Sequence, residues 1–178
     1  MTLKTLAEIA AGFARIDGIS DEDHPAFDKF LRNLTQRHFL PPTEQVGRAF
    51  LYDPAAAVTI RLAQIAAEFG LPRTTIDALA RWLSGSGERK KRISDSMLKG
   101  VTYAEEALDR VTAGETFAVH VIMCVDRSVI VKPDWDHPRS EHAENALRLI
   151  GKGPKAEIAR FSLPASALIA EILPFLKG

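Results

Sequence analysis

The sequence predicts an α+β protein, mainly helical in its first half and ending in a small α/β part with a short β-sheet. Three observations carry that expectation. Apolar residues recur at three-and-four spacing through most of residues 2–83. β-Branched runs, "TFAVHVIMCVD" and "RSVIVKP", take over later in the chain. Between them "SGSGERKKR" (84–92) breaks the pattern with glycine and serine. The expected organisation is a helical domain over 1–83, a flexible basic linker over 84–92, and a small α/β domain over 93–178 with a core of its own.

The first helix is expected over Thr2 to Arg15, capped by Thr2, with Leu3, Leu6, Ile9, Ala10 and Phe13 on one face. A second begins near Asp23 or His24 with Pro25 in its first turn, where a missing N–H costs nothing. Phe27, Phe30, Leu31, Leu34 and His38 form its inner face, and Pro41-Pro42 ends it. "TEQVGRAFLY" is too short for another helix and reads as a small β-hairpin. Asp53 then caps a third helix with Pro54 at its first position and Val58, Leu62, Ile65, Ala66 and Phe69 as its stripe, closed by Gly70. A fourth turns Ile76, Leu79, Ala80 and Leu83 inward.

Beyond the break, "RISDSMLKGVTYAEEALDRVTAG" reads as a helix interrupted at Gly100 and ending at Gly114. The two β-branched runs form a hairpin turning near Asp126-Arg127. A helix over 140–150, a turn at "GKGPK", a strand at "AEIARFSL" and a closing helix from Pro164 to Leu176 complete the chain.

Composition excludes more than it suggests. Charge is balanced, with 23 Lys+Arg against 23 Asp+Glu, so no global basicity points to nucleic acid and any such footprint must be local. The lone cysteine, Cys124, rules out an internal disulfide and suits a reducing cytoplasm. The first residues lack the pattern of a signal peptide, and no segment reaches the roughly 18 apolar residues of a membrane span.

The second helix and the hairpin carry the functional signal. Lys29, Arg32, Asn33, Gln36 and Arg37 lie opposite the apolar face, and Arg48 sits in the hairpin turn. A helix fits the major groove, where Arg, Asn and Gln make bidentate hydrogen bonds to base edges, and a hairpin beside it can set an arginine against phosphate. These are the parts of a winged helix-turn-helix.

The stretch resembles the winged-helix domain of the MerR family of transcription regulators. That family's recognition helix typically reads Leu-Arg-Tyr-Tyr-Glu and ends in Leu-Leu-x-Pro, before a glycine-rich basic wing ending Leu-Tyr-Asp. This chain has Leu31-Arg32-Asn33-Leu34-Thr35, Phe39-Leu40-Pro41-Pro42, Gly47-Arg48 and Leu51-Tyr52-Asp53. "LAQIAAEFGLPRTTIDALARWL" is similar to the family's next helix pair. The resemblance spans residues 2 to 83 and implies contact with double-stranded DNA. No long heptad helix follows Leu83, so the family's dimerising coiled coil has no counterpart.

Each candidate has a plainer alternative. The polar helix face could be ordinary solvated surface, and Tyr52 is expected to pack the wing onto the helix. Arg89, Lys90, Lys91 and Arg92 could form a solvated linker or an arm over the DNA backbone. His120 and Cys124 share a strand face and are expected in the core. His137 and His142 match no ligand spacing, and "GKGPK" lacks the lysine-serine/threonine end of a phosphate loop. No acid, base and oxyanion site assemble, so no enzyme and no cofactor are expected. The expectation is a DNA-binding transcriptional regulator of bacterial or prophage type. Its C-terminal part would form a homodimer or bind a partner, with the apolar last helix as a possible interface. The alternatives are a phage small terminase subunit or excisionase, and an adaptor holding a protein of the transcription machinery.

Overall fold

The computed structural model describes residues 3–38, 40, 42–94, 97–135 and 155–177. Among them are six helices and three small antiparallel sheets, an α+β fold with a helical first half. Helix α1 (Leu6–Ile16) starts on a capping box: the Thr5 hydroxyl accepts from the Glu8 amide, and the Glu8 carboxylate accepts from the Thr5 amide. The expected start at Thr2 is therefore corrected. Lys4–Thr5 is a short strand, β1, and Thr2 lies outside the described residues.

Helix α2 (His24–Arg37) has Pro25 in its first turn and buries Phe27, Leu31, Leu34 and Thr35. It ends ahead of the two prolines, with the His38 amide donating to the Leu34 carbonyl. The expected hairpin follows as β2 (Glu44–Val46) and β3 (Ala49–Tyr52), turning at Gly47, whose φ of 60° favours glycine. Strand β1 pairs with the other edge of β3, Lys4 opposite Tyr52, giving a three-stranded sheet.

Helix α3 (Pro54–Glu68) is capped by Asp53, which accepts from the Ala56 amide at 2.8 Å. Its small residues let neighbours approach on nearly every side. Ala55, Ala57, Val58, Ile60, Leu62, Ala63 and Ala66 are all buried, as are the polar Arg61 and Gln64. Phe69 departs from the expected stripe. It lies past the helix end, 72% exposed, with its ring 4.9 Å from that of Phe161. Helix α4 (Arg73–Leu83) turns Ile76, Leu79, Ala80 and Leu83 inward as the periodicity predicts.

Residues expected to form a linker and the start of a helix are instead two strands. β4 (Ser86–Ser94) pairs antiparallel with β5 (Met97–Thr102), Lys90 opposite Gly100 and Lys91 opposite Lys99. The helix cannot begin earlier because Thr102 and Glu105 form a second capping box, fixing the start of α5 (Tyr103–Thr112). The residues ahead of it pair across the ladder, Thr102 with Ser86 and Gly100 with Lys90 among them.

The β-branched runs form β6 (Val119–Cys124) and β7 (Val129–Pro133), with Arg127 at positive φ in the turn. β8 (Glu157–Leu163) pairs with the other edge of β6, and α6 (Ala165–Lys177) closes the chain. The helix expected over 140–150 lies outside the described residues, as does the turn at 151–155 apart from Lys155.

One continuous cluster of buried side chains runs from Ile9 to Leu176, so a separate core for the C-terminal part is replaced by a shared one. α6 packs on α1, α3 and α5. Its Ile169, Ile172 and Leu176 are buried, which uses as core the apolar face expected to be available as an interface. A Cβ on Gly12 would stand 2.7 Å from the Phe175 ring, so only glycine lets α1 and α6 meet this closely. Beside that contact Arg61, 2% exposed, donates twice to the Asp17 carboxylate at 2.7 Å and reaches Glu171 at 3.4 Å. Burial alone would raise the Asp17 pKa, but the Arg61 and Gln64 hydrogen bonds outweigh it and hold the carboxyl below its ordinary value.

Candidate nucleic-acid interface

The surface of interest is the outer face of α2 and the hairpin beside it. At about 100° per residue, the helix carries Arg32, Gln36, Lys29, Asn33 and Arg37 in that order across one side. Leu31 and Leu34 anchor the opposite side in the core. All five polar residues are exposed.

The two edges of this face have different neighbours. Arg32 and Gln36 border a groove whose other wall is Arg48, Ala49 and Phe50 of the hairpin, with Thr5 at one end. Asn33 and Arg37 border a second cleft with Arg73 and Ile76 of α4. There the Arg73 guanidinium donates to the Arg37 carbonyl at 3.0 Å, placing a cation at the C-terminus of α2 where the helix dipole favours it. Arg32 pairs with Asp28 one turn earlier at 2.7 Å, but its side chain is 56% exposed. Exposed pairs of this kind are worth about 0–1 kcal/mol, so the guanidinium is free to exchange Asp28 for another acceptor.

The mounting is stiffer than the surface. His38, buried just past the end of α2, bonds Asp77 of α4 at 2.7 Å through Nδ1. Tyr52 packs the hairpin inward as expected, 5% exposed, and burial raises the pKa of its hydroxyl. At the hairpin base the Thr43 amide donates to the Leu51 carbonyl, and the Thr43 hydroxyl accepts from the Asp53 amide. Arg48 follows Gly47 in the exposed turn. The hairpin also presents Phe50, 51% exposed at a position where the resembled family commonly has a wing arginine, and Val46, 55% exposed, which the sequence did not single out. Alternation in so short a strand was the available signal, and it is weak.

The basic run divides. Arg89 is bound to Glu115 at 3.0 Å and lies 3.7 Å from buried Glu106, so it fastens β4 to α5. Lys90 is exposed, and Lys91 and Arg92 are β4 positions opposite Lys99 and Leu98. Lys99, which sequence reasoning did not select, lines a cleft with Pro42, Thr43 and Asp53 at the base of the first hairpin.

The remaining polar clusters have structural duties. Glu106, fully buried, accepts from Arg110 at 2.7 Å and from the Arg89 amide at 3.2 Å. His120 is not a core residue as expected. Its Nδ1 meets the Ser162 hydroxyl at 2.9 Å and its Nε2 contacts Asp134, which also accepts from the Ala118 amide. That amide, followed by His120, holds the Asp134 carboxyl below its ordinary pKa. Cys124 is buried, as expected. Among the described residues no group of His, Cys, Asp or Glu is placed to hold a metal ion, and no helix is long and apolar enough to cross a membrane. Compared with models of known protein families, with curated proteins and with solved structures, the chain matches none.

Proposed function

We propose that the chain is a sequence-specific double-stranded-DNA-binding protein, a transcription regulator of bacterial or prophage type. In this reading α2 enters the major groove and Arg48 on the β2–β3 wing touches the neighbouring backbone. One observation carries it: the exposed side of α2 holds Lys29, Arg32, Asn33, Gln36 and Arg37, and its wing-side edge shares a groove with Arg48. Residues able to read bases and a residue able to fix register thus lie on one surface, backed by a buried scaffold.

The test is selection of bound duplexes from a random-sequence library, followed by affinity measurement with Arg32→Ala and Arg37→Ala. Each base-reading arginine should be worth about 1–3 kcal/mol of discrimination. Unchanged affinity in both variants, with native circular dichroism, would take α2 out of the recognition role. A second reading, an adaptor for a protein of the transcription machinery, is favoured by exposed Val46 and Phe50, since phosphate contact gives a wing no reason to expose apolar side chains. It predicts no selected duplex. If a duplex is selected, its place in a promoter or in a packaging or recombination site separates the regulator from the terminase or excisionase alternative.

A further inference from the structure

We propose that the β4–β5 hairpin is a second cationic arm, one that grips the phosphodiester backbone of duplex DNA on the far side of the wing from α2. The proposal rests on the reading of α2 and the wing as a DNA-binding surface.

Charge comes first. The whole chain is neutral, yet residues 86–102 hold five basic side chains (Arg89, Lys90, Lys91, Arg92 and Lys99) against two acidic ones (Glu88 and Asp95). Arg89 is spent on anchoring. Lys90 and Lys99 are exposed, and neither makes a hydrogen bond or ion pair among the described residues. The register sets Lys91 opposite Lys99 in the ladder.

Mounting comes second. A mobile linker would lose much of each contact to ordering, whereas this ribbon is held at its base. Ser86 pairs with Thr102, the Tyr103 amide donates to the Gly85 carbonyl, and the Arg89 amide donates to buried Glu106. A Cβ on Gly87 would stand 2.7 Å from the Glu106 carboxylate, so strand and helix are in close contact there.

Placement comes third. The groove between α2 and the wing and the cleft between the wing and Lys99 share Leu40, Pro42 and Tyr52 as walls. They lie back to back, so α2, the wing and the β4–β5 hairpin follow one another across the molecule. The arm therefore lies next to the wing, beside the surface on which a duplex would sit. Lysines are point charges without the planar fork of arginine, so this arm adds affinity without reading sequence.

The experiment uses the full chain and fluorescence anisotropy on two duplexes, one selected by the unsubstituted protein and one scrambled, across a range of salt. For Lys90→Ala/Lys99→Ala, affinity should fall about fivefold per lysine near ~0.15 M salt, equally for both duplexes, and the slope of log affinity against log salt should fall by about 0.9 per lysine. Lys90→Arg/Lys99→Arg should retain both values. An unchanged slope in the alanine variant, or a loss confined to the selected duplex, overturns the arm. If that happens while Arg32→Ala and Arg37→Ala still weaken discrimination, the arm alone falls. If selection with the unsubstituted chain yields no bound duplex, arm and recognition surface fall together.

Discussion

Replacing Arg61 with alanine should be among the most damaging single changes in this molecule, and the structure sets the size. The guanidinium is 2% exposed and bound to Asp17, which is 24% exposed, and Glu171, which is 51% exposed. It also lies 5.3 Å from the Phe13 ring centroid. Removing one partner of a buried ion pair typically costs about 3–5 kcal/mol, because the other charge stays behind without compensation. Here water reaches Asp17 and Glu171 and returns part of that, while the vacated volume adds a cavity cost. The expected loss is about 3 kcal/mol. Urea unfolding should be followed by tryptophan fluorescence, which reports Trp82 and Trp135, and by circular dichroism. A double-mutant cycle with Asp17→Asn should give a coupling of about 1–3 kcal/mol. Because Arg61 joins α1, α3 and α6, both probes should report a single transition at the same midpoint. A loss below about 1 kcal/mol, well under the typical range for such pairs, would refute the argument that this pair fastens the two halves, as would two separated transitions.

Other expectations follow from the same geometry. Gly12→Ala should cost about 1–3 kcal/mol by pushing the Phe175 ring off α1, and Phe175→Leu in the same chain should recover part of it in thermal melts. The Asp17 carboxyl titrates lower in the folded than in the unfolded chain, so its stabilisation is present above the unfolded value and fades as pH falls through the folded one. Acid titration of Asp17→Asn should accordingly show a shallower loss of stability below about pH 4 than the unsubstituted protein. Thr102→Ala should cost about 1 kcal/mol by removing the cap of α5, with Thr102→Ser restoring most of it. A chain cut after Ser84 loses α5 and α6, which pack on α3, and should give poorly dispersed amide resonances; a sharp, native-like spectrum would show that the first half folds alone.

The legible parts of this sequence are those governed by neighbours close along the chain. The stripes of α2 and α4, the cap at Asp53, the glycine turn of the wing and the β6–β7 hairpin all announce themselves within a dozen residues. The β4–β5 ribbon does not. Its strands carry charge where a core-facing strand would carry β-branched residues, because what holds it is the ladder and a carboxylate from α5. Thr102 stands three residues before Glu105, the spacing of a capping box, and weighing that pair places the start of α5 and frees the preceding residues for pairing. Arg61 and Glu106 are harder. Each sits on a helix where periodicity counts it as polar surface; Gln64 and Arg110 on the same helices are near neighbours in sequence, but the partners that complete the burial come from elsewhere in the fold: Asp17 on the turn after α1, Glu171 on α6, Arg89 on β4. The candidate interface was legible as a set of residues, but its division into a wing-side edge and an α4-side edge required the packing of α2.

The meeting of α1 with α6 bears on how the chain reaches this state. Phe175 touches Gly12, and the Lys4 ammonium lies 4.5 Å from the same ring, so residues near opposite ends of the sequence must find each other. Contacts of such sequence separation raise contact order and slow folding, since the entropy of closing the loop is lost before the contact returns anything. A circularly permuted chain, with a short linker joining residue 177 to residue 3 and a new opening at the Asp126-Arg127 turn, makes α6 and α1 consecutive. It converts a pairing between distant parts of the chain into a local helical hairpin, and should refold faster while the finished core is unchanged.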